Sequence, residues 1–392
     1  MMTSAPSPAI RKKVLLVVGF AVFVDMLIYG LIVPILPSYA ESLGASQTRI
    51  GLLFSSYALT LFIATPLLGM LTDKVGRKGP LLWGMIGLAA TTVMFAFATE
   101  FWMLVAARML QGIAAAATWT AGLALLADVY PSEERGAAMG LALSGQAAGT
   151  LLGPTVGGWL FEWGGYKLPF LVAALLALID ALLRVSLLRQ VSDTKAERFI
   201  SPLRLLRSRA IWMIAGVVAL GASIPAILEP TLPLHLSRHL NASPGVIGLL
   251  FAVPTIAYAL TTGMIGALST RVGHAKTIAA GLMFIAIILP LNALPDMIWL
   301  QVAVLALLGI SMGTVLAPAL PKLTDLSQQT VTGANAHGFT FAVYNTAYSV
   351  GMMVGPLGSS VLTEHFGISH AYLIIGAAAM LCSILFYRGM PK

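Results

Sequence analysis

The sequence predicts an all-α polytopic membrane protein, with twelve transmembrane helices in two six-helix halves related as a parallel repeat. Three observations predict it: an apolar composition, twelve stretches long enough to cross a bilayer, and a motif plan that recurs near half the chain's length. Of 392 residues, 58% are hydrophobic and 10% charged, and the mean hydropathy is +0.90. A soluble domain carries about 25% charged residues, whereas a span takes about 20 apolar ones.

The spans follow in order. The first six centre near Asp25, Leu61, Leu88, Ala114, Ala147 and Leu176. The second six centre near Val218, Tyr258, Phe284, Leu307, Val350 and Ala377. The first, Val14 to Leu36, carries a lone acid, Asp25, and the fourth carries Arg108. The fifth bears glycines at four-residue spacing, and the sixth holds Asp180 and Arg184. Pro225 and Pro230 flank Glu229 in the seventh and are expected to bend or unwind it.

The net charge of +8 does not point to nucleic acid, because its placement follows the membrane. Of 23 Lys and Arg, 19 fall in segments on the side of the N-terminus, Arg184 counted among them. Arg49, Lys167 and Arg238 fall on the other side, and Arg108 lies within a span. By the positive-inside rule both termini are cytoplasmic. No cleaved signal peptide is read at the N-terminus. The lone Cys382 permits no intrachain disulfide.

Ile50-Gly51-Leu52-Leu53-Phe54 recurs as Ile247-Gly248-Leu249-Leu250-Phe251, and Pro34-Ile35-Leu36-Pro37 as Pro230-Thr231-Leu232-Pro233. Gly69 to Gly76 is echoed by Gly266 to Gly273, and Gly153-Pro154 by Gly355-Pro356. Six spans per repeat leave both halves in the same orientation. Such halves are expected to hold a substrate near the midplane between them. The domains read as 1–190, a cytoplasmic linker 191–208, and 209–392. Phe199, Ile200, Leu203, Leu205 and Leu206 interleave with the linker's charges as in a surface helix.

Four stretches resemble the major facilitator superfamily. Gly69 to Lys78 (GMLTDKVGRK) is similar to its loop signature after span two, and Arg108 to Gly112 (RMLQG) to its span-four Arg motif. Gly149 to Gly158 (GTLLGPTVGG) resembles the span-five signature of proton-coupled antiporters, and Asp25 to Pro37 the acidic first span of drug/proton exchangers. A closer resemblance, carried by Asp128 to Gly140, Pro169 to Asp180 and Leu228 to Pro233, is to the vesicular monoamine and acetylcholine transporter branch and its bacterial relatives. It implies the major facilitator fold and amine-contacting or proton-cycle roles for Asp25, Arg108 and Glu229. The chain departs from that branch where acids of spans ten and eleven give way to residues near Leu316 and to Asn345, and where a span-two Lys gives way to Tyr57. The pattern fits a bacterial inner (plasma) membrane exporter.

Residue chemistry points the same way. A carboxylate at mid-bilayer costs about 2.5–3.5 kcal/mol on insertion scales, so chains that keep one use it. An apolar setting favours its neutral form and a bound cation its charged form. Proton and amine are then mutually exclusive at Asp25, which is the thermodynamic core of antiport. The expected substrate contacts are Asp25, Glu229, Tyr57, Trp119, Tyr258, Phe341, Tyr344 and Asn345, because aromatic faces attract organic cations; Tyr348 is read with them. A plainer reading makes Glu229 an interfacial acid in outside water. Proton coupling is assigned to Asp25, Glu229, Arg108 and Asp180. The partners considered for Arg108 are Asp25, the span-one backbone, Gln111 and Asn345. Asp180 and Arg184, at i and i+4, favour structural pairing over a relay. Gating falls to Asp73, Arg77, Asp128, Gly149, Gly153 and Pro154. Within it Asp73 would meet a helix N-terminus of the other half, Arg77 would pair with Asp128, and the glycines of span five would slide on span eight.

No HExxH, CxxC, Walker or GxSxG stretch occurs, so no metal, cofactor, ATP-driven or hydrolytic chemistry is expected. The expected partners are a small organic cation, protons and the lipid bilayer, with no nucleic acid, and the chain is read as a monomer. The rival readings are a proton-coupled exporter of a neutral or endogenous metabolite, a receptor or channel on the same scaffold, and a membrane enzyme. A channel would want a polar stripe along several spans, and an enzyme a catalytic pair at the interface.

Overall fold

A computed structural model describes residues 7–187, 208–330 and 335–390. The described residues form helices α1 (Pro8–Leu31), α2 (Leu36–Ser42), α3 (Gln47–Val75), α4 (Lys78–Ala96), α5 (Phe101–Val129), α6 (Ser132–Gly164) and α7 (Lys167–Leu187). They continue as α8 (Arg209–His239), α9 (Pro244–Val272), α10 (His274–Leu291), α11 (Ile298–Thr330), α12 (Asn335–Phe366) and α13 (Ile368–Gly389). Every expected span centre falls on its own long helix, and α2 is a short outer piece after α1. Ten of the long helices are apolar enough to cross a membrane. The remaining two, α6 and α12, run to 33 and 32 residues but are rich in Gly, Ser and Thr. The expected linker, apart from Ser208, lies outside the described residues, and so does its surface helix.

The described chain divides into two compact units, one holding 7–43, 59–187 and 244–248, the other 44–58, 208–243, 249–330 and 335–390. Within the first, α1 packs on α5, α6 and α7; α4 packs on α5 and α7; α6 packs on α5 and α7. Within the second, α8 packs on α11, α12 and α13; α10 packs on α11 and α13; α12 packs on α11 and α13. One packing plan is thus carried out twice, as the sequence repeat requires.

Small residues sit where backbones meet. A Cβ on Gly149 would lie 2.5 Å from the Phe23 carbonyl oxygen, and one on Gly153 2.7 Å from that of Leu27. Gly145 and Gly157 likewise meet the carbonyls of Gly19 and Leu31. The glycine face of α6 therefore packs on α1, not on the eighth span (α9) as the spacing suggests. Only Gly158, on the neighbouring face, meets Pro244 at the start of α9. In the other unit Gly351 and Gly355 of α12 meet the carbonyls of Ala219 and Ser223 on α8.

The two segments that join the unit of the opposite repeat explain a recurring motif. Gly51 lies where a Cβ would stand 2.6 Å from the Pro356 oxygen, and Gly248 lies against the Pro154 oxygen. The repeated Ile-Gly-Leu-Leu-Phe thus meets the repeated Gly-Pro. Each segment is also capped by a carboxylate, which favours a helix N-terminus. The Thr48 amide donates to Glu364 Oε2 at 2.6 Å, and the Gly245 amide to Glu162 Oε1 at 2.8 Å.

The prolines act differently in the two repeats. α1 ends at Leu31 and turns through residues 32–35 before α2, around Pro34 and Pro37. α8 runs unbroken through Pro225, Pro230 and Pro233, so the expected unwinding at Glu229 does not occur. Pro233 has no N–H for the carbonyl four residues back, that of Glu229. Thr231 does supply a donor, its Oγ1 reaching the Ile227 oxygen at 2.7 Å.

Candidate functional site

In the first unit, α1, α5 and α7 bring Asp25, Tyr29, Arg108, Gln111, Trp119, Asp180 and Arg184 into an apolar interior. Asp25 is the eighteenth residue of the 24-residue α1 and is 1% exposed. Trp119 of α5 donates its indole Nε1–H to Asp25 Oδ2 at 2.8 Å. Asp25 Oδ1 is buried with no donor from the described residues. Trp119 also packs beside the valine-rich core of Val14, Val18 and Val22 with Leu81 and Leu125, so its ring is held while its N–H is aimed. The sequence reading gives Trp119 an aromatic face for a cation; in the structure its N–H serves the carboxylate.

On α7, Arg184 and Asp180 form an ion pair at 2.6 Å, both 0% exposed. Arg184 further donates from Nη1 to the Leu81 carbonyl on α4 at 2.7 Å. Arg184 is therefore no inner-side loop charge, which corrects its place in the charge count. The i, i+4 pairing expected of it is present. α7, which carries the pair, packs on α1, which carries Asp25. Breaking a buried pair by removing one partner is costly, because the other charge is left uncompensated.

Arg108 of α5, also 0% exposed, donates to Gln111 Oε1 at 3.1 Å, and its guanidinium carbon sits 5.0 Å from the centre of the Tyr29 ring. Gln111 was among its expected partners and Tyr29 was not. Tyr29 follows Asp25 by four residues and so lies on the same face of α1, a spacing visible in the sequence. At the far end of this unit Arg77, 5% exposed, bridges two acids. Its Nε reaches Asp128 Oδ2 at 3.1 Å, as expected, and its Nη1 reaches Asp73 Oδ1 at 2.6 Å. Asp73 thus serves Arg77, where the sequence reading sends it to a helix terminus.

The second unit holds the other expected residues. Glu229 of α8 is 8% exposed, which argues against an acid standing in outside water. Tyr258 of α9 and Tyr344 and Tyr348 of α12 belong to the same unit. The rings of Tyr344 and Tyr348 stack at 6.3 Å. Tyr57, 1% exposed, belongs to this unit through the first part of α3. Asn345 is exposed. Phe341 lies on α12, its side chain outside the described residues. Among the described residues no cluster of His, Cys, Asp and Glu could hold a metal ion.

Comparisons with known proteins agree with this architecture. The model of the Major Facilitator Superfamily matches residues 18–228 and 211–392. The chain is 34% identical over 355 residues to the chromaffin granule amine transporter of Rattus norvegicus, covering 88% of this chain and 67% of that one. It is 31% identical over 362 residues to the synaptic vesicular amine transporter of Bos taurus, covering 91% and 69%. To the vesicular acetylcholine transporter of Rattus norvegicus it is 32% identical over 349 residues, covering 86% and 65%. The chain spans about two thirds of the length of these curated relatives. Among solved structures, a bacterial homolog to the human lysosomal transporter Spinster superposes with a TM-score of 0.78 at 16% identity, over 98% of this chain and 96% of that one. A POT family transporter superposes at 0.77 and 13% identity, over 96% of each. With its twelve long helices, its repeated packing plan and these relatives, the chain belongs to the Major Facilitator Superfamily and is a multi-pass membrane transporter, not an enzyme.

Proposed function

We propose that the protein is a proton-coupled antiporter that exports lipophilic organic cations, monoamines or drugs, across a bacterial plasma membrane by alternating access, with both termini in the cytoplasm. One observation carries the reading. A carboxylate deep in α1 has one oxygen held by the Trp119 indole and the other without a protein donor. A buried acceptor left open calls for a partner. An ammonium group can donate to it and a proton removes its charge, and the two exclude each other. That exclusion couples the cation's movement to the proton's. The likeness to amine transporters supports the choice of cation, and the buried Glu229 offers a second acid on the route. The domains that carry this cycle are the two six-helix halves, 1–190 and 209–392.

The test is proton release from purified protein on adding a lipophilic amine, wild type against Asp25→Asn. Release from the wild type that disappears in the variant supports exchange at Asp25. Undiminished release in the variant moves coupling to Glu229 or Asp180. No release from the wild type with any amine favours the export of a neutral metabolite.

A further inference from the structure

Where α10 and α13 pack together, their side chains leave an open crevice of about 300 Å³. Its walls are Ala280 and Met283 of α10 and Ile384, Tyr387 and Arg388 of α13, all of them exposed. The buried Ser383 and Ala279 complete the lining, and the Ser383 hydroxyl is spent on the Ala279 carbonyl at 2.7 Å. The repeat shows what opens the crevice. Gly84 and Gly281 make matching contacts, and the residues just before them are Leu82 and Trp83 on α4 but Ala279 and Ala280 on α10. The first unit presents a ring there, 72% exposed, where the second presents a methyl group.

Charge is added at the same place. In this register Lys276 stands where the first half has Gly79, with Lys78 beside it. Counted from the turn glycines Gly165 and Gly367, Arg388 stands where the first half has Ser186. Ser383 meets Ala279 and Gly376 meets Ala286, so α10 and α13 run antiparallel. Lys276 and Arg388 therefore lie at one end of the crevice, and Lys276 shares a helix face with Ala280, four residues on. Among the described residues neither cation makes a hydrogen bond or an ion pair. At this end the described unit carries Arg209, Arg271, Lys276, Lys322 and Arg388 against one acid, Asp325 of α11.

We infer that the crevice is a binding site for an anionic phospholipid of the leaflet at that end. One acyl chain lies along the apolar walls, and the phosphate sits between Arg388 and Lys276. Basic pockets between spanning helices take anionic headgroups, and a guanidinium matches a phosphate with two parallel hydrogen bonds. Tyr387 stands at headgroup level, where its ring meets the chain region and its hydroxyl meets water. A zwitterionic lipid would bring its own cation against two others, so the site selects net negative charge. The site is independent of the exchange at Asp25, which belongs to the other unit.

Cys382, the only cysteine, is exposed beside Ser383 and takes a fluorescent label. Labelled protein in phosphatidylcholine vesicles is quenched with brominated phosphatidylglycerol and, separately, with brominated phosphatidylcholine. In the wild type the anionic lipid is expected to be enriched at the label about tenfold or more, each basic group contributing about fivefold. Equal quenching by the two lipids overturns the proposal. Arg388→Gln is expected to lower the enrichment about fivefold, and Arg388→Gln/Lys276→Gln to abolish it. Arg271→Gln/Lys322→Gln removes the same charge at the same end but outside the crevice, and is expected to keep the enrichment within about twofold. An equal loss in that control would mean that surface charge alone draws the lipid, and overturns the site. Ala280→Trp supplies the ring that the first half carries and is expected to displace the lipid with every charge in place; unchanged enrichment overturns the proposal, and this variant decides should the charge variants fail to fold. Unlabelled protein gives a separate reading. Phosphatidylglycerol is expected to raise the melting temperature of the wild type more than that of Arg388→Gln/Lys276→Gln, because a ligand stabilises the state that binds it; equal rises overturn the proposal.

Discussion

Around Asp25 the protein divides the work of one carboxylate between its two oxygens. Oδ2 takes the Trp119 N–H, and a hydrogen bond to a charged group contributes about 1.5–3 kcal/mol. Trp119→Phe keeps the ring and removes the donor. It is expected to weaken amine binding by roughly 10- to 100-fold, measured by calorimetry, with folding intact. An unchanged affinity would mean the indole only packs. Glu229, buried in α8, is expected to matter through transport, not folding. Glu229→Gln should slow amine export driven by an imposed pH gradient while leaving proton release at Asp25 in place. Normal export in that variant would return Glu229 to a purely structural role. Asp25, Arg108 and Glu229 stand out in the sequence because charge within a span is rare and expensive. Trp119 stands out only as an aromatic face and Tyr29 only by its spacing from Asp25, since which group each one meets is set by packing.

At the scale of elements, α6 and α12 are the helices that least resemble free-standing spans, and they press closest on a neighbour's backbone. Gly149 faces Phe23 and Leu27 with no room for a methyl group, whereas Gly136 of the same helix faces open space. Gly149→Leu should therefore lower the stability of the purified protein by about 1–3 kcal/mol. Gly136→Ala should leave it unchanged or raise it slightly, as Ala favours helix over Gly. Thermal unfolding of both variants checks this; equal melting would refute the close packing of α6 on α1. The helix joint at Arg77 makes a different prediction. Its guanidinium bridges Asp73 in the last turn of α3 to Asp128 near the end of α5 and so ties the two helix ends together. Arg77→Gln is expected to reduce turnover several-fold with amine affinity within about twofold, since the bridge touches no proposed substrate group; weakened affinity at normal turnover would contradict this.

Across the whole molecule, the same seven helix pairings recur in each unit, so the repeat is one of packing as well as of words. Its glycines sit at matching contacts: a Cβ on Gly84 would lie 2.9 Å from the Ala114 oxygen of α5, and one on Gly281 2.9 Å from the backbone of Thr314 and Val315 of α11. The bias of Lys and Arg toward one side predicts the orientation of the whole. A reporter fused after Lys392 that works only in the cytoplasm should be active, and one inserted between Asn292 and Asp296, before α11, should not be. The opposite pattern would reverse the proposed direction of export.

The sequence by itself determined the class, the twelve spans, the repeat and the isolated acids. Those signals come from the bilayer's thickness and from the penalty on charge within it, which act on each segment separately. Arg77's pairing with Asp128 and Arg184's with Asp180 were also legible, one from family resemblance and one from i, i+4 spacing. Only the tertiary structure decided that the α6 glycines face α1, that α8 stays helical through three prolines, and that the Ile-Gly-Leu-Leu-Phe segments lie against the Gly-Pro carbonyls. It alone brought the Trp119 N–H to Asp25. A helical period tells which residues share a face but not which neighbour that face meets, because nearly every face in such a chain is apolar. The choice among apolar neighbours is made by close packing between helices distant in sequence.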